Sequence, residues 1–234
     1  MLESLTRRPA ALLLDAGDTL IFFDGRALAE VLARHGHSVD PARLQAAQHA
    51  AKQRYQALVV SGGQHEDGWS VIIEDTLVSA GVERESARGL LAPVRRAHDE
   101  LYLWRRVPAG LPEALARAQA AGIKLVVVSN SEGKLAYVLD QVGIGRYFAA
   151  VLDSQIEGVH KPDPEIFRRA LDRVGVSADR ALMAGDIPEV DLGGAAGAGI
   201  AGVLIDPEGK HAGGPWPRAE SVVAVIDALL ALPA

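Results

Sequence analysis

The sequence predicts an α/β protein, a Rossmann-like parallel sheet core with an inserted all-helical domain. Three observations predict it. Short apolar runs end abruptly in polar or acidic residues. Strand and helix patterns alternate from about residue 106 onward. Between about 23 and 105, apolar residues instead recur at helical spacing, with no continuous apolar run. Runs of the first kind suit strands buried on both faces of a sheet. Their alternation with helices argues a parallel sheet covered on both sides. The expected division is a core of residues 1–22 and 106–234, with a helical insertion at 23–105.

The elements follow in chain order. Ala10-Ala11-Leu12-Leu13-Leu14 reads as a buried strand and runs into Asp15-Ala16-Gly17-Asp18-Thr19-Leu20. In the insertion, Asp40-Pro41 is an N-cap followed by proline at the first helical position, opening a helix to about residue 60. A polar, glycine-containing loop is expected at 61–67, then helices near 69–80 and 83–101, parted by Gly81. The core resumes with a helix over 112–121, a strand over 124–128 and a helix over 133–142. A strand over 150–152 and a helix over 164–174 come next, then a strand over 180–184 and a helix over 190–198. The last strand, over 201–205, leads to a Gly- and Pro-rich loop at 206–217 and a closing helix near 221–232. The Gly/Ala run at 193–202 reads as a segment where helix and strand pack closely.

Composition narrows the classes of function. With 49% hydrophobic and 23% charged residues the chain is a folded globular protein. A net charge of −6 disfavours nucleic acid or an acidic membrane as partner. No cysteine is present, which excludes disulfides and thiolate metal sites and fits a cytoplasmic protein. The apolar run near the start is five residues long, short of the roughly 7–15 of a signal peptide or the about 20 of a spanning helix, so no targeting or membrane segment is expected. No GxGxxG follows a strand, so a dinucleotide site is unsupported.

Chemistry in open α/β sheets collects at the carboxyl ends of strands. Three strands end there in reactive residues: Asp15, Ser129-Asn130-Ser131, and Gly185-Asp186-Ile187-Pro188-Glu189-Val190-Asp191. A carboxylate such as Asp15 can attack phosphorus and split one hard displacement into two easier ones, though a lone strand-end Asp commonly only caps a turn. Magnesium takes oxygen ligands, usually one or two carboxylates, and Asp15 with Asp186 meets that need. Asp191 either serves the same site, through water or by holding Lys161, or is an acid favoured by a helix N-terminus. Glu189 reads as a solvated turn residue. The hydroxyl of Ser129 and the open amides around it suit a phosphate oxygen, while Asn130 and Ser131 are alternatively N-caps. Lys161, one of five lysines, stands in Lys161-Pro162-Asp163-Pro164 and offers a point charge to an anion. His160 beside it reads as a surface residue.

The order Asp15, Ser129, Lys161, Asp186 in these contexts resembles the haloacid dehalogenase superfamily of aspartate-nucleophile hydrolases, over residues from about 11 to 205. The resemblance implies Asp15 as nucleophile, Ser129 and Lys161 as catalytic and substrate-binding groups with Asn130 beside them, and Mg2+ held by Asp15, Asp186 and the main-chain carbonyl of Gly17. It implies that Thr19 supports the loop by hydrogen bonding and that the insertion is a helical cap. One departure matters. The family's phosphatases carry a second Asp two residues after the nucleophile, where this chain has Gly17. Asp18 falls one residue late and reads as a turn-capping or supporting acid. The expected activity is magnesium-dependent hydrolysis of a small phosphomonoester through an aspartyl-phosphate, slowed by the missing acid. The alternatives are carbon–halogen hydrolysis as in 2-haloacid dehalogenases, phosphonate C–P hydrolysis with Lys52 as Schiff base, and a binding protein whose catalysis has decayed. Substrate choice falls to insertion residues such as His65, Glu66 and Trp69, or to Arg105 and Arg106, and no code in them names the substrate.

Overall fold

The computed structural model describes residues 6–60 and 68–233, without the side chains of 56–60. The expected loop at 61–67, with His65 and Glu66, lies outside the described residues. The chain divides into two compact units, Met1–Phe22 with Arg106–Ala234, and Phe23–Arg105.

The first unit holds β1 (Ala11–Leu14). The second holds helices α1 (Gly25–Arg34), α2 (Pro41–Val60), α3 (Gly68–Ser79) and α4 (Arg84–Leu101). The chain crosses between the units at β2 (Phe22–Phe23) and β3 (Trp104–Arg106), which pair as a two-stranded ribbon. Back in the first unit come α5 (Leu111–Ala120), β4 (Lys124–Ser129), α6 (Leu135–Gln141), β5 (Phe148–Asp153), α7 (Ser154–Glu157) and α8 (Pro164–Val174). They are followed by β6 (Ala181–Gly185), a π-helical turn (Pro188–Gly193), α9 (Gly194–Gly197), β7 (Ala201–Ile205), β8 (Arg218–Ala219) and α10 (Val222–Leu230).

The six-stranded sheet is ordered β5-β4-β1-β6-β7-β8, and each described pairing is parallel. Central β1 is fully buried along its length, which is why its sequence is apolar without alternation. Chain order runs outward from β1 in both directions, so strand order reverses there, and ligands gather at such a reversal. Helix α8 shows how the flanking layer forms. Asp163 caps its first turn through the Glu165 amide, Pro164 takes the first helical position, and Gly175 closes it in left-handed conformation. Between those signals Ile166, Phe167, Ala170, Leu171 and Val174 are buried. Burial of a large apolar side chain such as Phe167 is worth about 1.5–3 kcal/mol.

Several expectations are corrected. The helix expected over 190–198 is split into the π-helical turn and short α9. Pro188 stands at the start of that turn, and the Ile187 amide donates to the Asp191 carboxylate at 2.9 Å. Among the described residues, the regular structure of the insertion is helical apart from its share of the β2–β3 ribbon. Strand β8 and helix α7 were not anticipated, being two and four residues long. Among the described residues no helix is long and apolar enough to cross a membrane.

Candidate active site

Three neighbouring strands deliver their ends to one place. Ser129 closes β4, Asp15 follows β1 and donates its amide to the Ala184 carbonyl at 3.0 Å, and Asp186 follows Gly185 at the end of β6. The register of β1 with β4 and β6 sets them level, with Leu14 opposite Val127 and Ala184. Lys161 arrives from the loop before α8. Its ammonium lies 2.6 Å from Asp15 Oδ1 and 2.6 Å from Asp191 Oδ1. Ser129 Oγ donates to the same Asp15 Oδ1 at 3.2 Å. Asp15, Ser129, Lys161 and Asp191 are all buried, and Asp186 is half-buried.

Charge sets the character of this site. A buried ion is costly unless paired. Burial works against the charge of Lys161, but the attraction of Asp15 and Asp191 outweighs it and raises its pKa, so the ammonium persists. Burial, helped by the charge of Asp15, pushes the Asp191 carboxyl up against the pull of Lys161. Oxygens of Asp15, Asp186 and Asp191 lie within 4.8 Å of one another. Three carboxylates thus meet one ammonium, and the excess negative charge equals that of one divalent cation. An all-oxygen donor set of this kind fits magnesium in both charge and ligand type.

Two glycines let the parts approach. A Cβ on Gly185 would stand 2.6 Å from Asp191 Cβ, so the Asp191 side chain rests on the bare backbone at the end of β6. A Cβ on Gly194 would stand 2.8 Å from the Pro162 carbonyl oxygen, so α9 packs directly against the loop of Lys161. Within the Gly/Ala run, a Cβ on Gly202 of β7 would stand 2.9 Å from Leu192 Cδ2, so strand and helical turn pack closely there.

The loop after Asp15 differs from expectation. Thr19 Oγ1 is buried and makes no hydrogen bond among the described residues, so the expected support from its hydroxyl is absent. The main chain closes the loop instead. The Ala16 carbonyl accepts from the amides of Thr19, Leu20 and Ile21, and the Asp18 amide donates to the Ile21 carbonyl at 2.8 Å. Gly17 bridges to Ile21. Asp18, not Gly17, adopts a positive φ, 61°, which Asp tolerates better than most side chains.

Sequence reading missed two residues beside the site. The buried Asp153 carboxylate accepts from the amides of Gly133, Leu135 and Gln155. Ser154 Oγ accepts from the Ser131 amide at 3.1 Å and donates to the Ser131 carbonyl at 3.3 Å. Their signal was an Asp-Ser pair straight after an apolar strand, the residue types that cap helices and turns. Asn130 lies at the end of β4, with its carboxamide bonded to the main chain of Lys161. His160 and Glu189 are exposed. In the second unit, the Trp69 ring lies 5.5 Å from that of His98, tilted by 53°, with the Arg95 guanidinium over it, and Lys52 is half-buried on α2. Arg105 donates to the Leu101 carbonyl, and Arg106 lies 5.1 Å from the Phe22 ring centre.

Comparison with known proteins identifies the family and the fold. A family model described as haloacid dehalogenase-like hydrolase matches residues 9–199. A phosphoserine phosphatase of Thermus thermophilus is 36% identical over 136 residues, covering 58% of this chain and 53% of that protein, so the chain spans about half of that relative's length. Haloacid dehalogenase-like hydrolase domain-containing protein 3 of Bos taurus is 31% identical over 73% of this chain and 70% of its own length. Among solved structures, the HAD-hydrolase YfnB from Bacillus subtilis bound to magnesium superposes with a TM-score of 0.75 at 21% identity, over 95% of this chain and 99% of that one.

Proposed function

The chain belongs to the haloacid dehalogenase-like hydrolase family, and we propose that it hydrolyses a small phosphomonoester with Asp15 as nucleophile and magnesium as cofactor, its helical unit serving as cap. The observation that carries this reading is the convergence of Ser129 and Lys161 on one oxygen of Asp15 beside two further carboxylates. A phosphatase relative and a magnesium-bound structural relative support it.

In this reading Asp15 Oδ1 is fixed by its two donors, and Oδ2 is the oxygen that attacks phosphorus. The new Oδ2–P bond forms as the ester O–P bond breaks, and the departing alkoxide takes a proton from solvent water. Water then cleaves the aspartyl-phosphate, releasing inorganic phosphate and restoring Asp15. Lys161 neutralises charge on the phosphoryl oxygens, and Ser129 orients them. Asp15, Asp186 and Asp191, with the Gly17 carbonyl, would hold magnesium, which when bound would offset further negative charge on the transferring group. Gly17 offers no proton to the leaving alcohol, so poor leaving groups would depart slowly.

A phosphate-release screen over many phosphomonoesters, run with magnesium and with a chelator, tests the proposal. It predicts release that requires magnesium. No release from any ester, or release indifferent to the chelator, would overturn it.

A further inference from the structure

The carboxamide of Asn130 meets the main chain of Lys161 twice. Asn130 Nδ2 donates to the Lys161 carbonyl at 2.9 Å, and the Lys161 amide donates to Asn130 Oδ1 at 2.8 Å. The two bonds close a ring of the kind paired strands make, with a side chain in place of one strand. They join residues 31 apart in the sequence. The joined segments carry the two donors to Asp15 Oδ1: Ser129 is the residue before Asn130, and the other donor is Lys161 itself.

We infer that Asn130 is a positioning residue that ties the end of β4 to the Lys161 loop, so that both donors reach Asp15 as one unit. The kinetic consequence rests on the phosphatase reading above, whereas the clamp is a property of the resting protein. Its chemistry is specific. A carboxamide presents one donor and one acceptor side by side, matching the acceptor and donor of a peptide. An aspartate would keep the bond from the Lys161 amide and turn a carboxylate toward the Lys161 carbonyl. Alanine would supply neither. The ammonium of Lys161 rides on a flexible four-carbon stem, so its aim depends on where its main chain is held. The Ser129 bond, at 3.2 Å, is already long for a hydroxyl donor, and a small retreat of the strand end breaks it. The far side of the segment after β4 is held by Ser154 and Asp153. Asn130 is therefore the tie on the side facing Lys161.

Asn130 is exposed and keeps a second amide hydrogen, so a direct role toward substrate is the competing outcome. The test uses the full chain and two variants, Asn130→Ala and Asn130→Asp. Amide hydrogen exchange reads the clamp without any turnover. The Lys161 amide should exchange slowly in the unaltered protein and roughly tenfold faster in Asn130→Ala, with the amides of β1 and β4 unchanged. On the best phosphate ester from the screen, both variants should lose kcat on the order of 10²-fold with KM nearly constant. The loss should shrink in a Lys161→Met background, because the effect travels through Lys161. A raised KM with kcat retained would make Asn130 a substrate ligand and overturn the inference. An unchanged Lys161 exchange rate in Asn130→Ala would do the same. Should the unaltered protein release no phosphate from any ester, the phosphatase reading fails, and the exchange experiment still decides the clamp.

Discussion

Gly17 and Asp18 occupy consecutive positions with opposite backbone demands. Gly17 is not among the residues with positive φ, whereas Asp18 sits at 61°. A side chain at 17 therefore meets no left-handed strain, and Gly17→Asp is expected to fold. It should raise turnover on the order of 10²-fold, more for alkyl than for aryl phosphates, because a poor leaving group needs a proton more. Steady-state kinetics on a matched ester pair checks this, and an equal effect on both would mean that proton delivery is not what the glycine lacks. At Gly185 the opposite holds. Gly185→Ala forces a methyl group into Asp191, which must swing off Lys161. Magnesium affinity measured by calorimetry should fall at least about tenfold, and unaltered affinity would remove Asp191 from the metal site. Much of this was legible at the level of residue type. The strand-end placement of Asp15, Ser129 and Asp186 follows from where apolar runs stop. The partner of Asn130 was not legible, because side-chain bonds to distant main chain leave no periodic trace in sequence.

Elements show the same division. The strand at 201–205 and the helix at 164–174 were legible to the residue, because caps, Pro164 and Gly175 punctuate an unbroken pattern. The π-helical turn was not, since π-helix has no apolar period of its own that a short segment of sequence could display. The loop between β7 and β8 depends on one side chain. Asp206 accepts from the amides of Lys210 and His211 and from the Arg218 guanidinium at 3.1 Å. Burial works against its charge, yet the His211 amide and the other donors outweigh burial and lower its pKa. A carboxyl lowered by folding adds stability above its unfolded pKa of about 3.9, and that stability is lost as pH falls through the lower folded value. Asp206→Asn should thus lower the melting temperature at pH near 7, and the gap to the parent should close as the pH drops below about 4. Thermal unfolding across that range is the check, and a gap independent of pH would assign the effect to shape and not to charge.

At the scale of the whole molecule, the strand order places β1 between β4 and β6, so that residues from distant parts of the sequence meet around Asp15. The alternation of strands and helices announced the parallel sheet, but no local pattern states which strands become neighbours. That order is decided by how helices cover both faces of the sheet. The central claim is that Asp15 carries the phosphoryl group during turnover. Acid quench of the protein during turnover with a good phosphate ester and magnesium, followed by peptide mapping, tests it most directly. The account predicts a hydroxylamine-sensitive phosphoryl group on the peptide bearing Asp15, lost together with phosphate release in Asp15→Asn. Phosphate release at the parental rate in Asp15→Asn, or a phosphoryl group on another residue, would contradict it.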